Sequence, residues 1–193
     1  MTKEEYWKHY DSETLVRDHS DKFDEWWDPN RFNWEENSSF LCGGLHSSQF
    51  DKWWNPNRYN WKEHSWALAQ SCRDHFDKWW DSEKYNWEES SGTLAQWCFE
   101  HFDKWWDPKL FNWDNGSWAL AQNCRKYFKK WWDPTKFNFQ DGGWALATHC
   151  SKHFHKWWNV EKYNIKDIRY LKKYCKKYKD TWKDIYVYDL LTR

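Results

Sequence analysis

The sequence predicts an all-α protein: a short α-solenoid of repeats about 26 residues long, held by an aromatic spine. Three observations predict it. A tryptophan doublet returns six times, at Trp26-Trp27, Trp53-Trp54, Trp79-Trp80, Trp105-Trp106, Trp131-Trp132 and Trp157-Trp158, in steps of 27, 26, 26, 26 and 26 residues. Between doublets the apolar positions keep a helical spacing rather than a strand alternation: Leu94, Cys98, Phe102 and Trp105 stand 4, 4 and 3 apart. Rings also replace the missing aliphatic core. Of 193 residues, 22 are Trp, 12 Phe and 11 Tyr, while Leu, Ile, Val and Phe together number 29. Each ring can bury roughly 150–250 Å², so the mean hydropathy of −1.27 understates the apolar surface on offer.

The unit from Asp81 to Asp107 shows the elements in order. Each copy opens on Asp or Asn, followed by Pro in Asp28-Pro29, Asn55-Pro56, Asp107-Pro108 and Asp133-Pro134, and by other residues in Asp81-Ser82 and Asn159-Val160. An Asx cap ahead of Pro starts a helix, so a short helix or turn is expected there. An aromatic-Asn-aromatic triplet follows, as in Phe32-Asn33-Trp34, Tyr59-Asn60-Trp61, Tyr85-Asn86-Trp87, Phe111-Asn112-Trp113 and Phe137-Asn138-Phe139, with Tyr163-Asn164-Ile165 last. Its Asn can end the turn and cap the next helix. An acid three residues on, as Glu36 after Asn33 or Glu63 after Asn60, fits a capping box. A Ser/Gly step comes next (Ser90-Ser91-Gly92, Gly116-Ser117, Gly142-Gly143). Beyond it a helix of about four turns is expected, running from Leu94 to Trp106. The first Trp of each doublet (Trp26, Trp53, Trp79, Trp105, Trp131 and Trp157) then enters the core as the spine. The second, about 100° around the helix, covers the neighbouring unit or the short turn.

No unit of this kind can hide its aromatic face alone, so neighbours must stack. One solenoid domain over 1–193 is expected, with residues 1–27 as an N-terminal capping repeat, 28–158 as core repeats and 159–193 as a C-terminal capping repeat and tail. The ends drift as caps do: His19 stands at the cysteine position of the first copy, and the last keeps Leu171, Cys175 and a single Trp182. The second copy carries one extra residue and Gly43-Gly44, which predicts a broken or frayed helix.

Lys+Arg and Asp+Glu both number 30, yet the charge is uneven. Residues 1–60 hold 12 acids and 7 Lys/Arg; residues 161–193 hold 5 and 10. No stretch reaches the ~18 apolar residues of a membrane span, and the N-terminus lacks the apolar core of a secretory signal, which predicts a cytoplasmic protein. Asn37-Ser38-Ser39 and Asn115-Gly116-Ser117 match glycosylation acceptors only by chance in that setting.

The strings His101–Pro108 (His-Phe-Asp-Lys-Trp-Trp-Asp-Pro) and Ser65–Cys72 and Ser117–Cys124 (Ser-Trp-Ala-Leu-Ala-Gln-x-Cys) resemble the tandem Trp-rich repeats of large nucleocytoplasmic DNA viruses of the Marseillevirus and pithovirus type. The resemblance covers residues 14–182. It implies a host-cell cytoplasm or virion setting and carries no catalytic residues to transfer. A designed consensus repeat would share the regularity, but not the irregular second copy or the degenerate ends.

Five cysteines, Cys72, Cys98, Cys124, Cys150 and Cys175, occupy apolar helix positions in steps of 26, 26, 26 and 25. Stacked helices lie about 8–10 Å apart, beyond the roughly 7 Å Cα separation a disulfide tolerates, so these are expected to be buried thiols. Cys42, in the irregular copy, is expected to be exposed. Cys72/His75, Cys98/His101 and Cys150/His153 invite a zinc reading, but a structural site needs four converging ligands and Tyr127 interrupts the series. No metal and no cofactor is expected. Neither a Ser-His-Asp order nor a phosphate loop is present, and the carboxylates at Asp28, Asp81, Asp107 and Asp133 read as caps, so no enzyme is expected.

What remains is a surface. One outward position reads Arg73, Phe99, Arg125, Ser151 and the next Asp74, Glu100, Lys126, Lys152. Variation at these places against a constant frame points to a non-enzymatic repeat scaffold for a protein partner or for self-association through the end repeats. The rival expectation is nucleic-acid binding through aromatic stacking and a lysine stripe, Lys52, Lys78, Lys104, Lys130 and Lys156. Against that rival, Asp51, Asp77 and Asp103 precede three of those lysines.

Overall fold

The computed structural model describes residues 1–43 and 49–192, and every regular element among them is helical. The chain divides into two compact units, Met1–Asn86 and Trp87–Arg193. The first holds α1 (Lys3–His9), α2 (Ser12–Asp18), α3 (Phe23–Trp26), α4 (Trp34–Cys42), α5 (Phe50–Trp53), α6 (Trp61–Ser71) and α7 (Phe76–Trp79). Here α2 packs on α4 and α4 on α6, in sequential order. The second holds α8 (Trp87–Trp97), α9 (Phe102–Trp105), α10 (Trp113–Asn123), α11 (Phe128–Trp131), α12 (Phe139–His149), α13 (Phe154–Trp157), α14 (Ile168–Tyr174), α15 (Lys179–Trp182) and α16 (Ile185–Thr192). There α8, α10, α12 and α14 stack in order. Each unit is thus a solenoid-like stack of about 26-residue repeats.

The internal layout of a repeat corrects the expected four-turn helix. The long helix begins earlier, directly after the triplet Asn, and ends at Cys72, Cys124 or Cys150. A 3₁₀ turn and a one-turn helix then carry the chain to the Trp doublet, as Arg73–His75 and α7 do after α6. The apolar face survives this break, since Leu94, Cys98, Phe102 and Trp105 are all 0–1% exposed. The Asx-Pro segment is a turn: the Asp28 carbonyl accepts from the Phe32 amide at 3.1 Å, and its carboxylate accepts from the Asn30 amide at 2.9 Å.

The spine Trp is more than bulk. The indole Nε1–H of Trp79, Trp105 and Trp131 donates at 2.8 Å to the carbonyl of Cys72, Cys98 and Cys124, the residue that ends the long helix. Helix ends leave carbonyls without an intrahelical donor, and here a buried ring supplies one. Trp26 does the same for His19 and Trp182 for Cys175, so the drifted end copies keep the device. The second Trp of the doublet stacks on its own repeat and covers the short turn that opens the next copy, as expected. Trp132 stacks on Phe128 at 5.2 Å and meets Phe137 at 5.3 Å.

The triplet Asn ties neighbouring repeats together. Asn138 Oδ1 caps α12 by accepting from the Gln140 and Asp141 amides, while its own N–H donates to Ser117 Oγ at 3.0 Å and its Nδ2 to the Asp114 carbonyl at 3.1 Å. Asn112 does likewise with Ser91 and Glu88, and Asn60 with Ser38 and Glu35. The expected capping box is therefore altered. In Asn33 the backbone N–H goes to Ser12 Oγ, and Glu36 takes the side-chain amide instead. The Ser/Gly step lies inside the long helix, where a small residue lets the neighbouring backbone approach.

The long helix of the second copy is cut short: α4 ends at Cys42, Gly43 follows it, and Gly44 lies outside the described residues. Cys42 is not exposed. It is 3% accessible, with its Sγ 3.3 Å from Tyr59 Oη. It stands nine residues after Asn33, where Ala69, Ala95, Ala121 and Ala147 stand after their own Asn, hence on the inner face. At the N-terminus α1 closes the first repeat: Tyr6 is buried, and Trp7 Nε1 donates to the Trp26 carbonyl at 2.8 Å. At the C-terminus α16 buries Ile185 and leaves Tyr186, Val187, Leu190 and Leu191 exposed.

Candidate interaction surface

The 3₁₀ turns present the outward positions picked out by sequence. Arg73 and Asp74 lead the turn after α6, Phe99 and Glu100 that after α8, Arg125 and Lys126 that after α10, and Ser151 and Lys152 that after α12. Arg73, Asp74, Glu100, Arg125, Lys126 and Lys152 are exposed; Phe99 and Ser151 are half-buried. In four of the turns the third residue faces inward across the repeat boundary. His75 stacks on Phe50, Tyr127 on Phe102, His153 on Phe128 and Tyr178 on Phe154, at 4.3–4.4 Å with ring planes 9–12° apart. Face-stacked pairs of this kind contribute roughly 0.5–1.5 kcal/mol beyond their area. The Cys-x-x-His spacing drew attention to those histidines only as candidate zinc ligands. The signal was present: every one of these turns ends in His or Tyr, a planar ring three residues after Cys.

The cysteines point into the same boundary. Cys124, Cys150 and Cys175 direct Sγ to the carbonyls of Ala95, Ala121 and Ala147 at 3.7, 3.5 and 3.6 Å. Burial raises their thiols well above the ordinary value, to about 12 for Cys150 and Cys175. All six cysteines are free and buried. The Cys150/His153 pair thus splits its work, thiol to a neighbouring carbonyl and imidazole to a neighbouring Phe. Among the described residues no group of three or more His, Cys, Asp and Glu is placed to hold a metal ion.

The lysine stripe is largely engaged. Lys52 reaches Asp24 at 2.6 Å, Lys78 reaches Asp51 at 2.6 Å and Lys130 reaches Asp103 at 2.5 Å, in each case joining one repeat to the one before. A second cation series does similar work on the turns: Lys136 donates to the Pro108 carbonyl at 3.0 Å and Lys162 to the Pro134 carbonyl at 2.6 Å, with Arg58 bonded to that of Pro29. The Trp113 indole shares the Pro108 acceptor at 3.2 Å.

The first unit also has an open groove of about 490 Å³ lined by Val16, Arg17, Phe40, Trp66 and Ala67 among others. It is mostly apolar, with Arg17 the only titratable group among its described lining residues. Charge separates with the units. Residues 1–86 hold 17 acids and 11 Lys/Arg; residues 87–193 hold 13 and 19. No helix among the described residues is long and apolar enough to cross a membrane.

Fold and surface together define an all-helical, tryptophan-rich repeat protein. No family model, curated protein or solved structure matches the chain.

Proposed function

We propose that this protein is a non-enzymatic repeat scaffold that binds a protein partner through the row of 3₁₀ turns. One observation carries the reading. The inward residues of each turn and helix repeat with little change, while the pair at the head of the turn changes in size and sign from Arg73/Asp74 to Ser151/Lys152. Within each unit, stacked repeats offer such turns as a recognition surface. The engaged lysine stripe withdraws support from the rival nucleic-acid reading. Six buried free thiols support a reducing compartment such as the cytoplasm, and the viral wording of the repeats directs the partner search to virion components and host proteins.

The test is affinity capture by the full chain beside a variant carrying Arg73→Ala, Phe99→Ala and Arg125→Ala. A partner held by the parent and lost by a still helical variant supports the reading. A chain that captures nothing and stays monomeric at every concentration sinks it.

A further inference from the structure

The rung that joins each repeat to its predecessor changes sign in the second unit. At three rungs the second residue of the one-turn helix is Asp and pairs with the third residue of the next: Asp24 with Lys52, Asp51 with Lys78 and Asp103 with Lys130. One step further along, the same two positions hold Lys129 and Lys156. The frame around them is unchanged: Phe128 still stacks on His153 at 4.4 Å, and Trp131 and Trp157 still bind the Cys124 and Cys150 carbonyls. Two exposed ammonium groups therefore face a place where the other rungs hold a carboxylate.

We propose that this rung and the adjoining turns bind a run of carboxylates on an acidic protein segment, with Lys129 and Lys156 at the centre and Lys126, Lys152 and Lys177 along the row. The proposal rests on the scaffold reading and names the chemistry of its partner. The positive charge of the rung and the adjoining turn is felt at one ring: His153 is held below its ordinary value first by burial and then by Lys152, Lys156 and Lys129. The row repeats, since Lys126, Lys152 and Lys177 are the second residues of the 3₁₀ turns that follow α10, α12 and α14, and all are exposed. The unit that carries them has an excess of six basic residues, 19 against 13.

Carboxylates fit this face better than a nucleic acid does. The paired rungs show what the site takes, a carboxylate oxygen at 2.5–2.6 Å. Base stacking would need open rings. Tyr127 and Tyr178 instead have one face on Phe102 and Phe154 and carry Lys126 and Lys177 at 4.7 Å.

The experiment uses the full chain and two dye-labelled probes of matched charge, a decaglutamate peptide and an oligothymidylate, followed by fluorescence anisotropy at about 20 and 150 mM salt, where screening differs. Lys129→Asp rebuilds the Asp–Lys rung and should leave the melting temperature at or above the parent's, while lowering peptide affinity about tenfold. Lys166→Asp makes the same change in net charge at an exposed site outside the row and should alter affinity less than about twofold. Equal losses in the two variants would reduce the effect to general attraction and overturn the proposal. So would an absence of peptide binding at about 20 mM salt, or tighter binding of the oligothymidylate. A protein partner captured in the scaffold test without peptide binding here would leave the scaffold reading standing and this proposal refuted.

Discussion

Replacing Trp131 by Phe separates the two jobs of the spine residue. The ring is 1% exposed, and its Nε1–H donates to the Cys124 carbonyl at 2.8 Å. That carbonyl also accepts from the Tyr127 amide at 2.9 Å, so losing the indole leaves it partly satisfied and the bond contributes about 1 kcal/mol net. Shrinking indole to phenyl opens roughly 40 Å³, which at about 24 cal/mol per Å³ costs about 1 kcal/mol. The lost apolar burial adds up to about 1 kcal/mol. The sum is about 2–3 kcal/mol. Trp132→Phe is the control: that ring is half-exposed and stacks on Phe128, so its cost should stay under about 1 kcal/mol. Urea unfolding followed by far-ultraviolet circular dichroism measures both, since emission from 22 tryptophans cannot be assigned to one site. Equal costs for the two variants would refute the idea that the first Trp of the doublet anchors the helix end.

Three further outcomes follow from the same contacts. Ser117→Ala should cost about 1–3 kcal/mol and speed hydrogen exchange at Asn138, because the buried hydroxyl that accepts the Asn138 amide at 3.0 Å is gone; unchanged exchange there would count against the inter-repeat bond. Gly116→Ala would set a Cβ 2.3 Å from Phe111 Cζ and should cost about 1–3 kcal/mol through overpacking, with partial recovery in the double variant Gly116→Ala/Phe111→Leu; a neutral single variant would show that the ring moves freely. Stability should also fall as pH rises through 9. Cys42, Cys124, Cys150 and Cys175 are all raised above 9.0 by burial, so the unfolded chain releases these protons first. At pH 10 the loss is about 1.4 kcal/mol per thiol, continuing toward about 12 for Cys150 and Cys175. Cys150→Ala should flatten the decline by one share, and a stability flat from pH 8 to 10 would contradict the linkage.

Repetition made most of the fold legible. A position that recurs every 26 residues reveals its burial because five or six copies vote on it, which is how Leu94, Cys98, Phe102 and Trp105 were read as one face. The same spacing hid the break at Cys72, since a helix followed by a 3₁₀ turn and one more helical turn keeps the apolar residues on nearly the same side. The contacts between repeats were illegible for a different reason. Nothing local distinguishes Ser117 as an acceptor for Asn138, or Tyr127 as a lid on Phe102, until two helices lie side by side. Cys42 was misplaced because the extra residue of the second copy shifts the count. Measured from Asn33 rather than from the Trp doublet, it falls on the inner face.

The energetics of the repeat also separate where the chain can change from where it cannot. Removing a buried ring or the Ser117 hydroxyl costs about 1–3 kcal/mol, a large share of a marginal stability. The Asp–Lys rungs are different. Lys78 and Asp51 have side chains 50% and 71% exposed, and surface pairs of that kind contribute about 0–1 kcal/mol. A rung can therefore turn from Asp103–Lys130 to Lys129 facing Lys156 with almost no penalty to the stack, while the local charge changes by two. Where substitution is nearly free for folding, surface charge can be set by what the surface meets, and the sign change in the second unit falls at such positions.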